Sequence, residues 1–264
     1  MTINKSNPIG VYDSGVGGIT VWREIIKLLP NEDLIYYADN KNCPYGLKSE
    51  QEISDLSENV VKFLLGQNCK MIVVACNTAT AAAVEYLRDK YDVKFVGMEP
   101  AVKPAALNSK TGKIGVLATK GTFRGRLFNE TTQKYAQNKD VNIQVGFGLV
   151  DAVENGKIHS DETIILLKKY IEPMLENEVD QIVLGCTHYP FLLDEIKKIV
   201  GERAEIIDPS GAVAKQLQNL LKLDNLLNIN TKSPEYRFYT SGKSEALKKV
   251  LNNIGYTNVD IDEL

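Results

Sequence analysis

Ile72-Val73-Val74-Ala75-Cys76-Asn77-Thr78-Ala79-Thr80 is an apolar, β-branched run that stops abruptly on a thiol, followed by amide and hydroxyl side chains. A short apolar run bounded in this way reads as a parallel strand buried on both faces, with Cys76 delivered at its carboxyl end into a polar crevice. The same design returns at Ile182-Val183-Leu184-Gly185-Cys186-Thr187-His188-Tyr189-Pro190. A lone strand-end cysteine is more often a small core hydrophobe than a reactive group. Here there are two, and each precedes residues that a core position does not favour: Asn77 and Thr78 in one segment, Thr187 and His188 in the other. The pair therefore points to chemistry that uses both thiols.

Working outward, strands and helices alternate. Pro8 to Tyr12 reads as a strand, Asp13-Ser14-Gly15-Val16-Gly17-Gly18 as a tight loop, and Ile19 to Leu29 as a helix closed by Pro30. A strand at Leu34–Ala38 and an irregular loop from Asp39 to Gly46 precede a helix over about Ser49 to Gln67. Its residues Ile53, Leu56, Val60, Phe63 and Leu64 share one face. Beyond the Cys76 strand come a helix over Ala79–Tyr91 and a strand at Lys94–Met98. The pattern then starts again. Strands are expected at Lys113–Thr119 and Ile143–Phe147, an acidic turn at Leu149–Gly156, a helix at Glu162–Glu176, and after the Cys186 strand a helix over Leu192–Val200. Ile9-Gly10-Val11 matches Ile114-Gly115-Val116, Cys76 matches Cys186, and Glu99-Pro100 matches Asp208-Pro209, at offsets of 105, 110 and 109 residues. Three ordered matches at nearly one spacing predict an internal repeat. The fold expected is α/β, with two similar doubly wound parallel-sheet lobes related by a pseudo-twofold axis and a site in the cleft between them, beyond the carboxyl ends of the strands. The segment from Ala212, with a strand at Tyr236–Gly242 and a helix at Ser244–Leu251, has no partner in the repeat. It is expected to return to the first lobe, giving lobes of residues 1–98 with 210–264, and 99–209.

The chain has 264 residues, 44% of them hydrophobic, with 31 basic against 34 acidic side chains. That balance argues against a polyanion-binding surface and hence against a nucleic-acid partner. No apolar run approaches the roughly 20 residues that a membrane span needs, and Met1 to Asn7 is short and polar, so no membrane partner and a cytoplasmic location are expected. Of the four cysteines, none forms a CxxC pair or a Cys/His ligand spacing, so no metal site is expected. Thr20 stands where a G-x-G-x-x-G loop would carry its third glycine, and no Walker lysine follows. The amides of this loop would still suit a carboxylate. As a plain packing turn it would account for its glycines, though not for Asp13-Ser14.

Two thiols on opposite faces of one carbon can remove a proton from one side and supply it from the other, inverting the centre. A thiolate is a weak base toward an amino-acid α-C–H, and each unit of pKa mismatch represents about 1.4 kcal/mol, so the site must stabilise the carbanion as it forms. Ser14, Asn77, Thr78, Thr119 and Thr187 are the donors placed at strand ends to hold substrate carboxylates. Asp13 and His188 are the groups suited to keep one cysteine as thiolate and the other as thiol. His159, among Lys157 and Asp161, reads as solvated, and Glu154 reads equally well as a surface acid or a site residue.

Asp13-Ser14-Gly15-Val16-Gly17-Gly18, Pro44-Tyr45-Gly46, Ala75-Cys76-Asn77-Thr78-Ala79 and Gly185-Cys186-Thr187-His188-Tyr189-Pro190 together resemble the glutamate racemases of the aspartate/glutamate racemase family, over nearly the whole chain. The resemblance implies cofactor-independent interconversion of L- and D-glutamate, with D-glutamate going to peptidoglycan, and allows a homodimer. It implies that Cys76 deprotonates D-glutamate and Cys186 L-glutamate. It also implies substrate contacts at Asp13, Ser14, Tyr45, Gly46, Asn77, Thr78, Thr187 and His188, with Glu154 an acid near the second cysteine. Asp39-Asn40-Lys41-Asn42-Cys43 departs from the usual form of the loop before Pro-Tyr-Gly. Two other functions compete. A thiol hydrolase or amidotransferase would use Cys186 with His188 but leave Cys76 idle, and a non-catalytic amino-acid binder would have no use for two thiols.

Overall fold

The computed structural model describes residues 3–99, 101–230 and 232–264. Pro100 of the Glu99-Pro100 landmark, the first two residues of the polar amino terminus, and Thr231 in the linker ahead of the final strand lie outside them. The elements in order are β1 (Ile9–Asp13), α1 (Ile19–Leu28), β2 (Leu34–Ala38), α2 (Glu50–Gly66), β3 (Met71–Val74), α3 (Asn77–Lys90), β4 (Lys94–Gly97), α4 (Val102–Asn108), β5 (Lys113–Ala118), α5 (Lys120–Arg124) and α6 (Arg126–Tyr135). There follow β6 (Asp140–Val145), α7 (Leu149–Glu154), α8 (Asp161–Glu176), β7 (Gln181–Gly185), α9 (Leu193–Val200), β8 (Glu205–Ile207), α10 (Ser210–Leu223), β9 (Tyr236–Thr240), α11 (Glu245–Asn253) and β10 (Ile261–Glu263).

These strands make two parallel sheets, one ordered β10-β9-β2-β1-β3-β4 and the other β6-β5-β7-β8. The order β2-β1-β3-β4 is repeated by β6-β5-β7-β8, the internal repeat expected from the landmarks. In each sheet the chain leaves the first central strand toward one neighbour and then returns to its other side. That reversal opens a crevice beyond the carboxyl ends of β1 and β3 in one lobe, and of β5 and β7 in the other. β1, β3 and β7 are buried throughout, as parallel strands covered on both faces must be.

Several boundaries differ from expectation for identifiable reasons. α3 begins at Asn77 rather than Ala79, because Cys76 takes the N-cap position and its sulfur accepts the Ala79 N–H at 3.4 Å. The strand expected at Ile143–Phe147 lies at Asp140–Val145, an edge strand of half-buried and exposed residues whose pairing with β5 starts at Asp140. An edge strand need not be a continuous apolar run, and Phe147 beyond it is exposed. Leu149–Gly156 is no mere turn, since α7 occupies most of it. β9 and β10 extend the first sheet beside β2. Trp22 on α1 anchors this edge, with ring centroids 5.2, 5.4 and 4.9 Å from those of Tyr236, Phe238 and Tyr256. The lobes are not packed independently. One buried cluster runs from Val11, Val16 and Trp22 into Leu149, Leu184 and Tyr189.

Candidate active site

Cys76 and Cys186 line one cavity from opposite lobes. Its walls also include Ser14 from the loop after β1, Tyr45 and Gly46 from the loop after β2, and Asn77 and Thr78 from the first turn of α3. The second lobe contributes Thr119, Thr187 and His188, together with Val150 on α7. The accessible space is about 20 Å³, roughly that of one water, so the two lobes are closed on each other. Thr78 Oγ1 and Thr119 Oγ1 lie 2.8 Å apart across the cleft. The Thr119 hydroxyl also caps α5 by accepting the Thr122 N–H at 3.2 Å.

The surroundings of the two thiols differ. Cys76 Sγ donates to Ser14 Oγ at 3.8 Å and accepts the Ala79 N–H. Burial, reinforced by the neighbouring Asp13 carboxylate, pushes its thiol up to about 12, against the pull of the Ala79 N–H. Cys186 Sγ faces His188 Nδ1 at 3.8 Å, and the other nitrogen of that ring, Nε2, lies 2.6 Å from Glu154 Oε1. Burial alone would depress the His188 pKa. Cys186, Cys43 and Glu154 outweigh it and hold the imidazole well above its ordinary value. For Glu154, the upward push of burial is exceeded by His188 and the Val16 N–H, which leaves its carboxyl below the usual range. A buried imidazolium–carboxylate pair therefore stands behind the second thiol.

Asp13 and Glu154 do not line the cavity. Asp13 is fully buried and accepts the Gly15 N–H at 2.7 Å and the Thr187 hydroxyl at 2.9 Å, thereby tying the first lobe to the residue after Cys186. Burial raises its pKa, with His188 offsetting part of the rise. Of the two roles open to Glu154, the fold selects the interior one. Its Oε1 accepts the Val16 N–H at 2.8 Å and its Oε2 the Asn40 amide at 3.2 Å. The glycine loop thus binds a carboxylate through a backbone amide, but that carboxylate is the protein's own. The glycines create the room. A Cβ on Gly15 would stand 2.0 Å from Glu154 Oε1, and one on Gly17 would stand 2.4 Å from His188 Nδ1. His159, by contrast, is largely exposed and pairs with Glu195 at 2.8 Å.

Four contributors escaped the sequence reading. Asp39 accepts the Tyr45 hydroxyl at 2.6 Å and the Ser241 hydroxyl at 2.5 Å, holding the Pro44-Tyr45-Gly46 wall in place. Asn40 and Val150 join as described, and Cys43 Sγ approaches Glu154 Oε1 at 3.8 Å. Burial pushes the Cys43 thiol up to about 11 despite the nearby His188. Only the unusual composition of the Asp39–Cys43 loop marked this region in advance. Asn77 is the opposite case: both polar atoms of its buried side chain have no hydrogen-bond partner among the described residues. Buried amides are ordinarily satisfied, so this one is available to a ligand in the cavity.

A family model described as Asp/Glu/Hydantoin racemase matches residues 10–217, and the chain belongs to that family. Within it, the chain is 46% identical over 246 residues to a glutamate racemase of Herpetosiphon aurantiacus, covering 93% of this chain and 97% of that one. A crystal structure of a glutamate racemase isoform from Bacillus anthracis superposes with a TM-score of 0.90 at 34% identity, over 99% of this chain and 98% of that chain. The glutamate racemase of Francisella tularensis in complex with D-glutamate superposes with a TM-score of 0.86 at 30% identity, over 98% of each chain.

Proposed function

We propose that this chain interconverts L- and D-glutamate by a two-thiol mechanism, supplying D-glutamate for peptidoglycan. The observation that carries the reading is the shared cavity: two cysteines from equivalent strand ends, one in each lobe, line one small chamber. Cys76 takes the α-proton of D-glutamate while Cys186 delivers one to the other face, and the roles reverse for L-glutamate. Both thiols regain their starting states after one turnover in each direction, so the scheme needs no further redox or group-transfer partner.

Ionising Cys76 is costly while Asp13 stands beside a buried thiol. A substrate ammonium group in the cavity supplies the missing positive charge, so the base forms only when there is an α-proton to remove. On the other side, the imidazolium of His188 stabilises a Cys186 thiolate or returns a proton to it, and Glu154 keeps that ring charged and oriented. Asn77, Ser14, Thr78, Thr187, Tyr45 and Gly46 are assigned to the substrate carboxylates and ammonium. Glutamate is far larger than the closed chamber, so the Thr78–Thr119 contact opens to admit it. Thr119 belongs to this latch and to the substrate contacts.

The division into lobes of residues 1–98 with 210–264, and 99–209, is part of this reading, supported by the membership of the two sheets. So are a cytoplasmic location and assembly as a homodimer. Among the described residues no helix is long and apolar enough to cross a membrane. The test is incubation with L-glutamate in heavy water. Racemisation puts deuterium on the α-carbon of the D-enantiomer as it appears, whereas release of ammonia from an amide substrate, or binding without exchange, would refute it.

A further inference from the structure

Cys43 Sγ, a carboxylate oxygen of Glu154 and a ring nitrogen of His188 lie within 4.8 Å of one another. The three come from the loop after β2, the end of α7 and the residues after β7, so no sequence spacing announces them. Thiolate, carboxylate and imidazole together are a donor set that suits Zn²⁺, which is commonly held by three protein ligands with one position left for water. With metal–ligand distances of about 2.0 to 2.3 Å, donors around a tetrahedral centre stand roughly 3.3 to 3.8 Å apart. Cys43 Sγ and Glu154 Oε1 are 3.8 Å apart already. The 2.6 Å contact between His188 Nε2 and Glu154 Oε1 has to widen. The carboxylate is held from behind by the Val16 N–H and the Asn40 amide, the kind of support that orients a ligand toward a metal. Cys43 is only partly buried, which gives an ion a way in from solvent.

We propose that Cys43, Glu154 and His188 form an inhibitory site for a borderline-soft divalent cation, with Zn²⁺ the best chemical match. On binding, the Cys43 thiol and the His188 Nε2 each lose a proton to solvent, and the ion coordinates sulfur, nitrogen and oxygen. The imidazole and the carboxylate are thereby withdrawn from the service of Cys186. The inhibition rests on the racemase reading, whereas the coordination does not.

The coordination is tested by titrating the full-length reduced protein with Co²⁺, following the near-ultraviolet thiolate-to-cobalt absorption. A band that saturates at one ion per chain, is lost in Cys43→Ser and Cys43→Ala, is kept in Cys69→Ser, and is displaced by Zn²⁺ is the expected result. In parallel, Zn²⁺ should inhibit racemisation by the native chain and by Cys69→Ser, reversibly on adding EDTA. Cys43→Ser, compared against its own metal-free activity, should need at least about tenfold more Zn²⁺ than the native chain for the same fractional inhibition. Absence of any band overturns the proposal, and so does a band with a Zn²⁺ sensitivity unchanged in both Cys43 variants, which would place the ion on another thiol. A Cys43-dependent cobalt band in a protein that racemises nothing when metal-free would leave the site standing and remove the racemase reading instead.

Discussion

The two lobes repeat one strand order, yet the thiols they present are served differently. Cys76 sits at a helix start, beside a buried carboxylate and a serine hydroxyl. Cys186 faces an imidazolium that is itself paired with Glu154. A duplicated scaffold thus fixes where the sulfurs stand, while unlike neighbours surround each of them. Racemisation needs one acid and one base at any moment, and two identical environments would not distinguish them. The asymmetry is built from cross-lobe contacts. Thr187 donates to Asp13, and Glu154 reaches Val16, so each thiol's electrostatics depend on the partner lobe.

The comparison breaks most severely if either sulfur is removed. Cys76→Ala and Cys186→Ala should each lower racemisation by at least about a hundredfold while glutamate binding, read by calorimetry, persists. Full turnover in either variant would end the two-thiol scheme. A milder perturbation sharpens it. His188→Gln should reduce kcat/KM by about tenfold or more, and by the same factor in both directions, because two enantiomers have an equilibrium constant of one. The distinction between the thiols should appear instead in the primary isotope effects: the effect with α-deuterated L-glutamate, whose proton the proposal assigns to Cys186, should rise more than that with the D-enantiomer. Equal rises would mean that His188 serves both thiols alike.

The smallest effect concerns stability. Glu154 titrates lower in the folded chain than in the unfolded one, so its contribution is complete above the ordinary glutamate value of about 4.3 and fades as pH falls through its depressed folded value. His188 has the opposite sign: its contribution is complete below about 6.5 and is lost as pH rises through its raised folded value. Glu154→Gln should therefore cost about 2 kcal/mol near neutrality and flatten the acid limb of a denaturation profile. His188→Gln should flatten the alkaline limb. Unchanged limbs in denaturant titrations across pH would show that the pair is not ionised as described.

Much of the architecture was legible because buried parallel strands announce themselves as continuous apolar runs. Ile72 to Val74 and Ile182 to Leu184 needed no partner to be recognised, and their cysteine ends marked the cavity. The edge strand β6 was shifted, since its half-buried and exposed residues carry no such run. β10, three residues long, went unseen because β9, the strand it pairs with, is supplied from more than twenty residues earlier in the chain. Glu154 stayed ambiguous for a similar reason. An acid on a short helix is ordinary until Val16, 138 residues away, donates to it.

Sequence alone determined the alternation of strand and helix, the duplication, and the positions of both thiols, because these follow from local hydrophobic period and the residues that interrupt it. Tertiary structure alone decided which neighbour each thiol has, that the glycine loop receives Glu154, and that Cys43 joins His188 and Glu154. Those outcomes depend on charges and donors brought within a few ångströms across the cleft, and no local pattern encodes such distances.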